Sequence, residues 1–510
     1  MLHITHYSGH IRNHKALCEE LAIDGSLSRA EREEAILLAA YQTWGKEVGL
    51  HLHGMFAFAV YDDETDTTVC VRDPFGTKPF YYYVTADGRL LYSTQIRDIL
   101  GMDGFEKELN RKMLQIYLTM TYTTGEETFF VGVKKLLPGR TLTFKNGEIT
   151  IDRYWKPTFA PDYSKTLEEW ADELHRTVGA IMKEVKDEDE TVESFLSGGV
   201  DSSYVLAVSD CAACNSCGYD DSRLDESGLA RQTAEILGRQ FNRCLITPER
   251  YFETIPYVME NMEQPLGDAS AVCFAIGCIE TAKHTDICYS GEGADEFFGG
   301  YNMYRNAPRY GENLPTFYVG NTNIMKEDEK KAILKDYYED FLPIDLVRPL
   351  YEDNAHLDPL SKMLDIDIQV WLEGDIYLNV DKMSRAAGLE VRMPLTDRRV
   401  FDLASRLPSE MKVSESQNKL VLRTAAAKLL PEEIAFRQKL GFVVPIRVWM
   451  ADERYNGDVR RLFKSEIADK FFDRDAIWAI FEEYIGGNSD NWRKVYVIYA
   501  FLVWYEIYFG

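Results

Sequence analysis

The residues best suited to chemistry form one short run, Phe195-Leu196-Ser197-Gly198-Gly199-Val200-Asp201-Ser202-Ser203. An apolar strand-like segment, residues 192–196, leads into it, and a helical segment, residues 204–208, follows. Two glycines let the backbone turn tightly and present N–H groups. Three serine hydroxyls add donors, and the helix N-terminus adds partial positive charge. Such a nest suits a pyrophosphate group. Asp201 would repel a bare phosphate, so it makes sense there only with a cation between them, and Mg²⁺ is the expected one. The plainer alternative is a Gly-Gly turn with an Asp/Ser helix cap. The lysine of a GxxxxGK[ST] loop is absent.

Other segments carry the same kind of residue. Ser290-Gly291-Glu292-Gly293-Ala294-Asp295-Glu296 follows a strand-like stretch, which places it at the carboxyl edge of a parallel sheet where ligands bind. Further on stand Asp381-Lys382-Met383-Ser384-Arg385, then Leu389-Glu390-Val391-Arg392-Met393-Pro394-Leu395-Thr396-Asp397, then Arg437-Gln438-Lys439-Leu440-Gly441-Phe442. Glu390, Arg392 and Asp397 read more readily as an ion-pair network than as catalysts. Cys211, Cys214 and Cys217 have a CxxCxxC spacing that could hold a metal, but buried thiols serving as small hydrophobes are the favoured reading.

These side chains need a frame. The first 155 residues read as mainly β: segments 54–61 and 67–72 have strand patterning, and Asn146-Gly147 between 141–144 and 149–151 predicts a hairpin, since Asn-Gly takes positive φ cheaply. The polar stretch 156–164 is the expected linker, dividing the chain into domains 1–157 and 158–510. Thr166 and Glu169 make a capping-box pattern ahead of Leu167, Trp170, Leu174, Val178, Ile181 and Val185 at helical spacing. Strand-like segments 192–196, 242–246 and 286–289 then alternate with helical ones, the mark of a parallel α/β sheet. Beyond Trp371 the pattern is almost wholly helical.

At 510 residues, two or more domains are expected. A formal charge of −26 argues against a nucleic-acid partner. Met1-Leu2-His3-Ile4-Thr5-His6 has no secretory pattern. The longest apolar run, residues 495–505, is shorter than the roughly 18–20 residues that cross a bilayer, so no membrane partner is expected. Nine cysteines, an odd number, fit a reduced cytoplasmic protein.

A strand followed by SGGxDS resembles the signature of the ATP-pyrophosphatase families, whose loops hold pyrophosphate as AMP is transferred. With the later motifs in order, the chain from about Tyr7 onward resembles glutamine-dependent asparagine synthetase. That resemblance implies an α/β protein: a β-rich Ntn-type glutaminase domain, then an ATP-pyrophosphatase parallel-sheet domain with a helical C-terminal part. It implies Asp201 and Asp295 as holders of Mg²⁺, and Ser197, Gly198, Gly199, Ser202 and Ser203 as the pyrophosphate loop. It also implies Leu196 and Gly291 beside the nucleotide of ATP, Lys439 offsetting charge on the α-phosphate, and Glu292 handling the ammonia nitrogen. Residues 263–270 lie where the family contacts aspartate.

The front part resembles the glutaminase half in segments 54–61, 72–79 and 94–97, but its chemistry differs. The family begins with a catalytic Cys, whereas this chain begins Met1-Leu2, and the arginine loop that grips glutamine has no counterpart. Ser8-Gly9-His10 stands where the family has Asn-Gly-Glu, Glu31-Arg32-Glu33 where it has Gly-Ser-Asp, and Cys18 lies in a helical segment without a free amine. The expectation is an AMP-forming amide ligase acting on an aspartate-like carboxylate. Ammonia or another amine, free or delivered by a partner, supplies nitrogen, the chain has no glutaminase activity of its own, and a homodimer is left open. Two alternatives stand: a peptide or natural-product amide synthetase like the lasso-peptide cyclases, or an idle binding protein.

Overall fold

The computed structural model describes residues 1–186, 190–221, 225–438 and 443–510. The front body holds eight strands: β1 (Leu2–Ile11), β2 (Gly54–Asp62), β3 (Thr67–Arg72), β4 (Tyr81–Val84), β5 (Leu90–Ser93), β6 (Lys134–Lys135), β7 (Arg140–Lys145) and β8 (Glu148–Arg153). They form an antiparallel sheet ordered β1-β2-β3-β7-β8 and a small one ordered β5-β4-β6. The β7–β8 turn is the expected Asn146-Gly147, with φ of 53° and 79°. Cys18 sits in the helix His14–Glu20.

The rest of the chain is built on a parallel sheet of β9 (Val192–Phe195), β10 (Ala213–Gly218), β11 (Gln240–Leu245), β12 (Ile287–Tyr289) and β13 (Glu390–Arg392), ordered β11-β10-β9-β12-β13. Thr166 and Glu169 close a capping box on the helix Leu167–Glu184, whose buried face is Trp170, Ala171, Leu174, Val178 and Ile181. The apolar C-terminal run lies inside the helix Trp492–Phe509 and is buried. No helix among the described residues is long and apolar enough to cross a membrane.

Three features depart from the sequence reading. The helix after β9 begins at Val200, four residues earlier than expected, so Asp201, Ser202 and Ser203 belong to its first turn. The cysteine-rich segment is itself the strand β10, so Cys214 and Cys217, three apart on a pleated strand, point to opposite faces and cannot converge on one ion. No cluster of three metal-ligating residues occurs among the described residues. The third is β13, a three-residue strand inside the region read as helical.

The two bodies are joined by burial and by charge. One apolar cluster contains Phe75, Tyr81 and Tyr117 of the front body together with Phe297, Phe401 and Trp504 of the back. Around it, basic side chains of the front reach acids of the back. Arg72 and Lys135 both lie 2.9 Å from Glu373, and Lys78 lies 2.8 Å from Asp381. Arg97 is 2.8 Å from Glu263, Arg29 2.9 Å from Glu390, and Arg12 3.4 Å from Asp397.

Candidate active site

A cavity of about 570 Å³ is lined by residues that follow β9 (196–202) and β12 (Ser290, Gly291 and Glu292), with Asp295, Lys419, Arg423 and Gln438 closing it. Neither Gly198 nor Gly199 adopts positive φ; Gly199 is extended, at φ −84° and ψ 162°. Space rather than handedness is what crowds a side chain here: a Cβ on Gly198 would stand 3.2 Å from the Leu229 side chain, and one on Gly199 3.3 Å from Ser197 Oγ, so each neighbour would have to give by a few tenths of an ångström. The loop is fixed by its own hydroxyls. Ser197 N donates to Ser202 Oγ (3.0 Å), Gly199 N donates to Ser197 Oγ (3.1 Å), and Ser203 Oγ donates to the Gly199 carbonyl (2.8 Å). Hydroxyls and first-turn N–H groups therefore gather at one helix N-terminus, the arrangement that suits an anion.

Gly291 faces this turn across a very short gap. A Cβ there would lie 2.9 Å from Ser202 N and 3.0 Å from Asp201 Cβ, so only glycine lets the β12 loop and the β9 loop touch. Gly293, at φ +88°, turns the chain into the helix Ala294–Phe298. Thr396 Oγ1 donates to the Glu292 carbonyl at 2.9 Å, and Tyr377 bonds that Thr396 hydroxyl. The Leu389–Asp397 motif thus holds Glu292 from behind.

Asp201 and Asp295 converge. Between them stands an ammonium group the sequence did not point to: Lys419 Nζ lies 2.5 Å from Asp201 Oδ2 and 2.8 Å from Asp295 Oδ1, with its side chain 2% exposed. The second oxygen of Asp201 is buried without a hydrogen-bond partner. A hard cation would satisfy that oxygen, so the donor set fits Mg²⁺. Arg423 joins the same wall, where burial lowers its pKa and the Asp201 and Asp295 charges raise it. Nothing local in Gln417-Asn418-Lys419 marks this lysine, because its role comes from a loop closing over a distant strand end.

The remaining expected residues divide. Arg437 ties its loop to the phosphate turn through the Gly198 carbonyl (3.3 Å), and Gln438 lines the cavity. Lys439 lies outside the described residues. Of the segment 263–270, Asp268 and Ser270 line the cavity. Glu263 does not: its carboxylate is fully buried against Lys382 (2.5 Å) and Arg97 (2.8 Å). Asp381 and Lys382 serve the seam between the bodies rather than the cavity: Asp381 pairs with Lys78, and Lys382 Nζ donates to the Thr94 carbonyl at 3.3 Å. Glu390 and Arg392 (2.6 Å apart) form the ion-pair network read from sequence, and Asp397 caps the helix Arg398–Ala404. At its apolar end the cavity is walled by Phe195, Leu229, Cys217, Cys273 and Phe274.

A parallel sheet whose strand ends carry a hydroxyl-rich anion turn and a convergent carboxylate pair defines a nucleotide-handling α/β enzyme. The chain belongs to the asparagine synthase family: the family model of that description matches residues 170–506, and the model for a glutamine amidotransferase domain matches residues 2–155. It is 31% identical to asparagine synthetase (glutamine-hydrolyzing) 1 of Bacillus subtilis, over 98% of this chain and 85% of that protein. It is 29% identical to a putative asparagine synthetase (glutamine-hydrolyzing) of Mycobacterium bovis, over 98% and 84%. Amidase chyE of Penicillium rubens is 27% identical over 88% of this chain and 75% of that protein. The protein is thus an ATP-dependent ligase that forms carbon–nitrogen bonds.

Proposed function

We propose that the body formed by residues 158–510 activates an aspartate-like carboxylate as its acyl-adenylate, releasing pyrophosphate, and that ammonia or another amine then displaces AMP to give the amide. The observation that carries this reading is the convergence of Asp201 and Asp295 beside the hydroxyl-rich turn at the head of the helix Val200–Val208. The Ser197 and Ser202 hydroxyls and first-turn N–H groups hold the leaving pyrophosphate, while Ser203, buried and bonded to the Gly199 carbonyl, fixes the turn. Asp201 and Asp295 would hold Mg²⁺, which would offset polyphosphate charge when bound. Lys419, paired with those two carboxylates and lining the cavity, adds positive charge beside the polyphosphate. Lys439 offsets charge on the α-phosphate, and Glu292 accepts a proton from the attacking nitrogen. Asp268, Ser270 and Asn379 line the same cavity and suit a polar acid substrate.

The amine does not come from glutamine handled by the front body of residues 1–157. At the positions where the family holds glutamine, the side chains here are engaged elsewhere. Ser8 Oγ accepts from Arg385 (2.8 Å), and Glu33 Oε1 accepts from Ile11 N (3.1 Å). His10 Nδ1 is 3.0 Å from Arg29, and burial lowers the pKa of its ring. Cys18 does not take the nucleophile's place either: it is buried inside the helix His14–Glu20 with no free α-amine beside it, and burial raises the pKa of its thiol.

The test supplies the purified chain with ATP, Mg²⁺ and a panel of acids led by aspartate, with either ammonium or glutamine as nitrogen source. AMP, pyrophosphate and amide are expected with ammonium, and no glutamate is expected from glutamine. ADP and phosphate as products would overturn the adenylate reading. Stoichiometric glutamate and amide from glutamine would overturn the reading of the front body.

A further inference from the structure

Seven of the nine cysteines are buried; Cys217 and Cys244 are the two that keep partial exposure. They are also partners, because β10 and β11 are adjacent and parallel and Cys217 is in register with Cys244. Neighbouring strands run about 4.8 Å apart and in-register side chains share a face. The pair therefore falls within the roughly 4.4–6.8 Å of Cα separation that a disulfide bridges. A small pocket of about 60 Å³, lined by both cysteines with Glu280 and His284, gives them an opening.

Their surroundings make them unequal. Arg250 Nη1 lies 3.7 Å from Cys244 Sγ. The Cys217 thiol itself donates to the Cys273 carbonyl at 3.7 Å. Closeness to Cys217 and to Arg250 holds the Cys244 thiol below its ordinary range, with burial and the Glu280 charge opposing. The neighbouring Cys244 and burial push the Cys217 thiol well up. The guanidinium beside Cys244 favours the thiolate there, which suits it as the attacking thiol, with Cys217 across the register as the resolving one. Cys217 belongs to both cavities: it lines the large one as well, and a Cβ on Gly277 would stand 3.0 Å from its sulfur.

We propose that Cys217 and Cys244 form a thiol–disulfide exchange site for a small disulfide such as glutathione disulfide, and that closing it reshapes the wall of the nucleotide cavity. The Cys244 thiolate attacks one sulfur of the small disulfide, forming a mixed disulfide and expelling one thiolate. Cys217 then gives up its proton and attacks the Cys244 sulfur, expelling the second thiolate. Two protein thiols lose two electrons in all, and one small disulfide is reduced to two thiols. The functional consequence rests on the nucleotide reading of the large cavity; the crosslink itself does not.

The experiment treats the full chain with glutathione disulfide, then measures intact mass, maps the linked peptides and determines KM for ATP. The expected result is a loss of two hydrogens with Cys217 joined to Cys244. KM for ATP should rise about tenfold, the scale of moving one methylene-sized group in a binding pocket, while KM for ammonium stays fixed, and dithiothreitol should reverse the change. The Cys244→Ser variant keeps the reduced protein's KM and ignores the oxidant. Failure to find the Cys217–Cys244 link, an unchanged KM in the linked protein, or a Cys244→Ser variant that responds like the parent would each overturn the proposal. ATP left unconsumed by the reduced protein would instead count against the nucleotide reading, and the mass and peptide map would still decide the dithiol.

Discussion

Replacing Lys419 with Met removes the ammonium between Asp201 and Asp295 while keeping the length of the side chain. With contacts of 2.5 and 2.8 Å, each pair is worth about 6 kcal/mol before desolvation at an effective dielectric of about 20. Desolvation cancels much of that, and deleting one partner of a buried pair costs about 3–5 kcal/mol net. The two carboxylates retain 17% and 18% exposure, so the lower end, about 3 kcal/mol, applies. In Lys419→Met that energy becomes available to another cation. Mg²⁺ should bind the nucleotide-free variant about 100-fold more tightly than it binds the parent, and Mg²⁺ should raise the thermal midpoint of the variant more than that of the parent. Turnover should nonetheless fall about 10²–10³-fold, because a positive group facing the polyphosphate is lost. Isothermal titration with Mg²⁺ and steady-state pyrophosphate release measure the two effects. Equal or weaker Mg²⁺ binding in the variant would refute the idea that the lysine competes with metal for this carboxylate pair.

Three further outcomes are expected. Gly291→Ala should fold normally by circular dichroism but raise KM for ATP about tenfold or more, since its Cβ meets the backbone of Asp201 and Ser202 at 2.9–3.0 Å; an unchanged KM would contradict that close approach. Lys439→Ala should lower turnover about 10²–10³-fold with ATP affinity nearly intact, judged by steady-state kinetics against ATP. Glu390 is pushed up by burial, but Arg392 and Arg29 outweigh this and hold it down at about 2 against an ordinary 4.5. Its contribution is therefore fully present above pH 4.5 and is lost as pH falls towards 2, about 3 kcal/mol in all. Urea midpoints between about pH 6 and about pH 3 should fall less steeply in Glu390→Gln than in the parent.

The parts of the fold legible in the sequence were those with a local cause. Asn146-Gly147 forces its turn by φ, Thr166 and Glu169 cap their helix, and the strand before Ser197 announces itself by apolar residues. The strand β10 was hidden because Ala213-Cys214-Asn215-Ser216-Cys217-Gly218 lacks branched and aromatic residues; it is a strand because its neighbours on both sides pair with it. The three-residue β13 gave too short a pattern to separate from the helices around it. The anion turn and the aspartates could be read because their chemistry is written in adjacent residues. Lys419 could not, because its partners are 218 and 124 positions away and nothing near it records the meeting.

The seam between the two bodies has a consequence for how such a chain can change. The pairs described above all run one way: Arg12, Arg29, Arg72, Lys78, Arg97 and Lys135 come from the front, and Glu263, Glu373, Asp381, Glu390 and Asp397 from the back. A front body released from glutamine chemistry, as proposed, can drift at every position that once touched glutamine. It is constrained at the buried members of this set, Arg12, Arg72 and Lys135, and Glu373 and Asp381 stand in the same part of the chain that reaches the cavity at Asn379 and Val380. On that proposal, the front body serves the ligase as a set of counter-ions for the acids of the back.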